Sequence, residues 1–311
     1  MNLIKPKFWD YKKPNFLSYL LLPFTTPIII NNFFLNLKNN NDKNEKIKNI
    51  CVGNIYVGGT AKTPLSIKLN EILTNLNFKS AVIKKFYSNQ YDERKILNKK
   101  TNLYCFKTRK EALNEAIRDQ IDIAVFDDGL QDRSINYDLK FVCFNNISWI
   151  GNGFLIPSGP LREKLKSLSK FDAVFLNGNK EDNSKLKITI KKHNHSIQIF
   201  ESYYNPINMN QFNKNDKFVI FSGIGNPENF KRTLVKNRFN IIKEFIFPDH
   251  YKYAINDIDK IKLYAKHQNA QILTTEKDYI KLNNDPEIKY LDIELVIQEE
   301  ERLIKFIKSR I

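Results

Sequence analysis

Short apolar runs alternate with longer amphipathic stretches along most of this chain. The run "IKNICVG" ends in glycine, and the "KTPLSIKLNEILTNL" that follows a short turn carries apolar residues at helical spacing. A buried strand feeding a helix is what this spacing predicts. "FKSAVIKK" and "TNLYCFK" predict further strands, "TRKEALNEAIRDQ" a charged helix, and "IDIAVFDD", "DLKFVCFN" and "FDAVFLNG" buried strands. Such alternation predicts a mostly parallel sheet with crossover helices.

The pattern then changes and resumes. "KITI" and "SIQIFESYY" have β-like alternation and bridge to a second half, where "DKFVIFSGIGNPENFKRTLVKN" repeats the order strand, glycine-rich turn, helix. "FNIIKEFIFPDH", "AINDIDKIKLYAKHQ", "AQILTTEKD" and "LDIELVIQ" continue it, and "EEERLIKFIKSRI" predicts a C-terminal helix. Two α/β lobes are expected, 47–180 and 181–311, preceded by an arm and polar linker over 1–46.

That arm is different in kind. No charged residue occurs between Lys13 and Lys38, and "FLSYLLLPFTTPIIINNFFLNL" is rich in Leu, Ile and Phe. Its length would suit a membrane span, but Pro23, Pro27, Asn31 and Asn32 interrupt it. Trp9, Tyr11 and Tyr19, with Lys5, Lys7, Lys12 and Lys13, suit a headgroup layer. An interfacial anchor, a span and a core-packed arm all remain open, and no signal-peptide cleavage site follows. "NLKNNNDKNEKIKN" reads as a polar linker.

Composition narrows the class. At 311 residues, 42% hydrophobic and 27% charged, the chain is globular rather than disordered. Lys and Arg total 50 against 34 acids, a formal +16. The excess favours anionic partners, although a general Lys and Asn bias explains part of it. No nucleic-acid motif is present. Cys51, Cys105 and Cys143 are widely spaced, without C-x-x-C, which points to buried free thiols in a reducing compartment.

Candidate chemistry begins at "VGNIYVGGTAKTP". A strict phosphate loop reads G-x-x-x-x-G-K-[ST]; here Tyr56 and Ala61 stand at the two glycine positions. The loop Tyr56, Val57, Gly58, Gly59, Thr60, Ala61, Lys62 and Thr63 still lies between a strand and a helix. Glycines let backbone N–H groups face a phosphate, Lys62 can neutralise β/γ oxygens, and Thr63 can offer its hydroxyl to Mg²⁺. An ordinary glycine-rich turn is the plainer reading. Asp127 and Asp128 end a buried strand, where α/β sheets bind ligands and phosphate-loop enzymes keep a carboxylate for Mg²⁺. An acidic turn competes with that. Of the four histidines, His193, His195 and His267 read as surface residues, whereas His250 sits in a "PDH" strand-to-loop junction.

These blocks together resemble the tetraacyldisaccharide 4′-kinases, the lipid A 4′-kinases. "VGNIYVGGTAKTP" is similar to that family's shifted loop, which already lacks the first glycine, so Ala61 is the departure. "DDGLQD" (127–132), "GNGFLIPSGPLREKL" (151–165), "FSGIGNPENF" (221–230), "FPDHYKY" (247–253) and "TTEKDYIKL" (274–282) agree in order, and "KPKFW" and "LLLPFT" resemble its membrane-associated arm. The resemblance implies a phosphate-loop NTPase-like fold, ATP and Mg²⁺, and transfer to the 4′-hydroxyl of an acylated glucosamine disaccharide 1-phosphate, giving lipid IVA. It implies work at the cytoplasmic face of the inner membrane, with neither nucleic acid nor an obligate protein partner.

It also implies roles. Arg162 and Glu163 match an Arg-Glu pair, with Glu163 a metal-region carboxylate beside Thr63 and Asp128, or simply part of a salt-bridged helix start. Asp127 and Lys62 join the catalytic set. The family's acceptor base is an Asp in a Gly-Asp-Glu-Pro block, paired with the "PDH" histidine. Here "YDERKIL" offers Asp92, next to Glu93, without the glycine and proline. The family's Ser-Arg-Gly-Tyr-Gly block is reduced to "KKFYSNQ", and Asp132 replaces a histidine. The expectation is an ATP-dependent sugar-lipid kinase. Its rivals are a phosphate-loop kinase or NTPase acting on another acylated or phosphorylated sugar, and a non-catalytic nucleotide-binding membrane protein.

Overall fold

The computed structural model describes residues 5–37, 46–178, 182–213, 215–282 and 285–311. Most of the expected polar linker, 38–45, lies outside the described residues. In chain order the arm forms α1 (Phe16–Leu20) and α2 (Thr26–Leu37), then β1 (Lys48–Gly53), α3 (Lys62–Asn75) and β2 (Ser80–Lys85) follow. Next come α4 (Tyr91–Lys100), β3 (Leu103–Phe106), α5 (Arg109–Arg118), β4 (Ile123–Asp127), β5 (Leu139–Asn145) and β6 (Ala173–Asn177). The remainder is α6 (Ser184–His193), β7 (Gln198–Pro206), β8 (Lys217–Ser222), α7 (Pro227–Lys236), β9 (Asn240–Ile246), α8 (Ile255–His267), β10 (Ala270–Thr275), α9 (Glu276–Tyr279), β11 (Ile288–Leu291), β12 (Ile293–Ile297) and α10 (Glu300–Lys308).

The strands make an eight-stranded sheet in the order β12-β7-β6-β5-β1-β4-β2-β3 and a four-stranded sheet in the order β11-β10-β8-β9. From β3 to β7 the first is parallel throughout, and so is the second. Strands buried on both faces must be apolar along their whole length. Accordingly Ile50, Cys51 and Val52 of β1 and Ala124, Val125 and Phe126 of β4 have no exposed surface.

The chain leaves β1 toward β2 on one side, while β5 lies against β1 on the other. Ligands bind such sheets where the winding reverses, beyond the carboxyl ends of the strands. Val52 lies opposite Asp127 at that edge, so the β1–α3 loop and the "DDGLQD" turn leave from neighbouring strand ends.

Two compact units result. The larger comprises 5–86, 100–203 and 297–311; the smaller, among described residues, 87–99 and 204–296. The sequence placed one boundary near 180 and gave everything beyond it to a second lobe. Instead the segment carrying α4 belongs with the smaller unit, and α10 with the larger. The cause is packing across sequence: Phe306 of α10 lies against Phe141 of β5 and Phe200 of β7, with ring centroids 6.4 and 6.2 Å apart. "KITI", read as β-like, lies in α6: Leu186 and Ile190 are buried four residues apart and Ile188 is exposed, the helical period. Cys51 and Cys143 are buried thiols, whereas Cys105, on edge strand β3, is half-buried.

The arm packs onto the larger unit. Trp9 Nε1 donates to the Pro157 carbonyl at 2.9 Å, the Asn152 N–H to the Trp9 carbonyl at 2.9 Å, and Asn32 Nδ2 to the Arg162 carbonyl at 2.8 Å. Among the described residues no helix is long and apolar enough to cross a membrane. Phe16 (78% exposed), Phe24 and Phe33 point away from the core.

Candidate functional site

The residues named from the sequence fall into two charged clusters, one in each unit. In the larger unit the β1–α3 loop is held from both sides. The Val57 N–H donates to the Pro160 carbonyl at 2.9 Å, and Tyr56 pairs antiparallel with Leu161. The Tyr56 hydroxyl is buried, donating to Asp10 and accepting from Lys5 at 2.9 Å. Burial and the Asp10 carboxylate push its pKa up, so it stays protonated. The Tyr56 hydroxyl and the Val57 N–H therefore fasten the loop, and neither of these groups is open to a ligand. Asn54, which the sequence reading passed over, spans the turn: its Nδ2 donates to Thr60 Oγ1 at 3.1 Å.

Ala61 precedes α3 with φ 70° and ψ 25°, left-handed backbone. An L residue there costs roughly 1–2 kcal/mol, and glycine does not. The glycine missing from the sequence motif is therefore missing where the backbone calls for one.

Beyond the loop, α3 and the end of β4 meet. Asp127 has no exposed surface, and three donors reach it: Thr63 Oγ1 (3.0 Å) and Lys84 Nζ (2.7 Å) on Oδ2, and Ser66 Oγ (3.3 Å) on Oδ1. Asp128, at φ 55°, turns the other way. Its Oδ1 lies 3.4 Å from Lys62 Nζ and 3.5 Å from Arg162 Nη1, yet accepts no hydrogen bond among the described residues. Burial would raise the Asp128 pKa; Lys62, Arg162, Lys84 and Arg109 outweigh it and hold the carboxyl below the usual range. Arg109 donates to the Asp128 carbonyl at 2.6 Å and pairs with Asp132 at 3.2 Å, so Asp132 has its own cation. Glu163 is buried beside Arg162, but among the described residues no ion pair joins it to the Lys62–Asp128 group.

In the smaller unit, Asp92 sits in the first turn of α4, 2% exposed. His250 Nδ1 lies 3.1 and 3.2 Å from its two oxygens. The Glu93 N–H donates to Asp92 Oδ1 at 2.9 Å, and Lys281 Nζ stands 3.3 Å from Oδ2. Burial works against the charged carboxylate, but the His250 hydrogen bond, Lys277 and Lys281 prevail and lower its pKa. Ionised Asp92 therefore adds stability above the unfolded carboxylate pKa, lost as pH falls through the lowered folded value. Glu93 stands on the other side of the ring, 3.7 Å from His250 Nε2, and pairs with Lys277 at 3.1 Å.

The "TTEKDYIKL" block supplies the residues that the sequence reading did not single out. Asp278 is fully buried, accepting from the Gly223 N–H (3.0 Å), Tyr253 hydroxyl (2.9 Å) and Lys281 (3.0 Å), and so sets Lys281 against Asp92. His250 itself adopts φ 57°, its N–H reaching the Gly223 carbonyl at 3.2 Å.

A mostly parallel α/β protein with charged groups gathered beyond its strand ends is the class that this geometry defines. The family model for tetraacyldisaccharide-1-P 4′-kinase (LpxK) matches residues 17–102 and 91–311. The chain is 49% identical over 306 residues to the tetraacyldisaccharide 4′-kinase of Pelagibacter ubique, covering 97% of this chain and 96% of that one. It is 33% identical to the Rickettsia bellii enzyme of the same name, over 96% and 95% of the two chains. The crystal structure of Aquifex aeolicus LpxK in complex with ATP superposes with a TM-score of 0.70 at 21% identity, over 94% of this chain and 99% of that one, a likeness of fold. The chain belongs to the tetraacyldisaccharide 4′-kinase family.

The Ala61 conformation yields a direct test. Ala61→Gly should raise the unfolding free energy in urea by about 1 kcal/mol, strain relief exceeding the added unfolded-state entropy. A loss of similar size would contradict the left-handed assignment.

Proposed function

We propose that this chain transfers the ATP γ-phosphoryl group to the 4′-hydroxyl of a tetraacylated glucosamine disaccharide 1-phosphate, giving lipid IVA, at the cytoplasmic face of the inner membrane. The Asp92–His250 pair carries the reading: the acid and the histidine expected to act on the acceptor lie 158 residues apart in sequence and are hydrogen-bonded.

In this reading Gly58, Gly59, Thr60 and Ala61, with the start of α3, form a phosphate loop. Lys62 exchanges its Asp128 partner for β/γ oxygens and stabilises the charge that develops on them in the transition state. Thr63, Asp128 and Glu163 are hard oxygen donors suited to Mg²⁺, and Asp128 Oδ1, which accepts no hydrogen bond, is open to the ion once Lys62 turns to the phosphate. Among the described residues no three acidic, His or Cys side chains gather into a metal cage. Asp128 and Glu163, with the Thr63 hydroxyl, are the residues that would hold the ion. Held by these residues, Mg²⁺ would supply charge compensation for the phosphoryl group being transferred. Asp92, its oxygens already engaged, fixes His250 through Nδ1, and the two receive the acceptor proton as a unit.

The exposed Phe side chains of the arm and the +16 charge support docking on an anionic lipid surface, where an acylated substrate resides.

Lys62→Ala should lower kcat at least about a hundredfold. Asp92→Asn and His250→Ala should each lower kcat with ATP affinity unchanged, and the double variant should cost little beyond the worse single one. Independent, multiplying losses would break the pairing, and near-normal turnover by Lys62→Ala would remove the phosphate-loop assignment. Glu93→Gln separates the neighbouring acid; silence at Asp92 with loss at Glu93 would transfer the role by one residue.

For the arm, the combined Phe16→Ser, Phe24→Ser and Phe33→Ser variant should bind anionic vesicles at least about tenfold more weakly than the parent. These side chains face outward, so the substitutions spare the arm's contacts near the loop, as deleting it would not. Equal binding by both proteins would refute membrane docking by this face.

A further inference from the structure

Lys84 has no part in the mechanism above, yet it is among the most enclosed charges in the larger unit. It is the penultimate residue of β2, 3% exposed, and its ammonium lies 2.7 Å from Asp127 Oδ2. Lysine is almost never so buried unless paired, and a buried ion pair is rarely a gain over a well-packed apolar pair. Stability by itself therefore gives little reason to place the pair here, although Lys84 stabilises Asp127 once that acid is buried. The register explains the contact: Ile83 lies opposite Phe126, so the next residue of β2 meets the last residue of β4.

The position matters because of what else Asp127 touches. Thr63 Oγ1 donates to the same Oδ2, and Ser66 Oγ to Oδ1. Asp127 is thus saturated by one cation and two hydroxyls, while Asp128 keeps an oxygen without a hydrogen bond. Of two adjacent acids, Asp127 is held by three hydrogen bonds, whereas Asp128 Oδ1 has only the longer ion contacts of Lys62 and Arg162.

We propose that Lys84 is a positioning residue that acts as a resident cation on Asp127, making the nucleotide-free site a poor one for a divalent ion and tying metal binding to nucleotide. With Lys84 in place, a free divalent ion would find only Asp128 Oδ1, which accepts no hydrogen bond but lies between Lys62 and Arg162, and these two cations repel it. Nucleotide phosphates draw Lys62 and Arg162 away from Asp128 and add their own oxygens, so the metal enters with the nucleotide. Asp127, held by Lys84, keeps the Thr63 hydroxyl oriented throughout. This rests on the reading of the Lys62–Asp128 group as a nucleotide site.

The test is a Mn²⁺ titration followed by electron paramagnetic resonance on the full chain, without and with ATP. Wild type should bind free Mn²⁺ weakly and bind it at least about tenfold more tightly with ATP. Lys84→Met should gain at least about tenfold affinity for free Mn²⁺ in the absence of nucleotide, and Lys84→Gln should do the same. Adding Asp127→Asn to Lys84→Met should abolish that gain, and Lys84→Arg should behave as wild type. If the neutral variants fold and bind free Mn²⁺ no more tightly than wild type, the inference is overturned. Wild type alone decides the matter should those variants fail to fold: free Mn²⁺ binding as tight as binding with ATP contradicts it. Failure of wild type to bind ATP would instead strike the nucleotide reading, so the two failures are distinct.

Discussion

A carboxylate without exposed surface persists only where the fold surrounds it with donors, and Asp127 imposes that constraint on the larger unit. To satisfy it, β2 must deliver Lys84 beside β4, and α3 must present Thr63 and Ser66 on the face packed against the sheet. The β1–α3 loop then has little freedom, because its end is fixed by α3 and its start by β1. Asn54 and Tyr56 tie down what remains. A phosphate-binding loop requires this kind of rigidity, since its N–H groups must be aimed before the ligand arrives.

The smaller unit solves the same problem with other residues. Asp92 is buried at a helix start and held by His250, Lys281 and the Glu93 N–H, with Asp278 holding Lys281 in turn. Backbone strain marks both places. Eight non-glycine residues among those described have positive φ. Asn77, Gln120, Arg238 and Asn269 each follow a helix, the usual place for left-handed backbone, and Trp149 lies in a turn. The remaining three are Ala61, Asp128 and His250, all of them in the two charged clusters. Strain concentrates where side chains must point against their local preference.

Strand and helix order was legible because burial on both faces forces continuous apolar runs, as in "IDIAVFDD". "KITI" misled because four residues fit either period, and its helical partner positions lay outside it. The identity of Asp92 and His250 as a pair came from family resemblance, since nothing local in "YDERKIL" indicates a partner 158 residues away. Lys84 was invisible for a related reason: at the end of "AVIKK" a lysine reads as the solvent-exposed end of a strand. Its burial follows from the order β4-β2, which periodicity does not encode. The exchange of α4 and α10 between the expected lobes has the same origin, long-range pairing of Asp92 with His250 and of Phe306 with the strands of the larger sheet.

The central claim concerns where a phosphoryl group goes. The purified full chain, incubated with Mg²⁺, ATP and tetraacyldisaccharide 1-phosphate in mixed micelles, should yield a bisphosphorylated product. Phosphorus–proton correlation NMR of that product should place the new phosphate on the 4′-oxygen of the distal glucosamine, with one ADP released per phosphate transferred. Hydrolysis of ATP without a phosphorylated lipid, or a new phosphate on any other oxygen, would contradict the account.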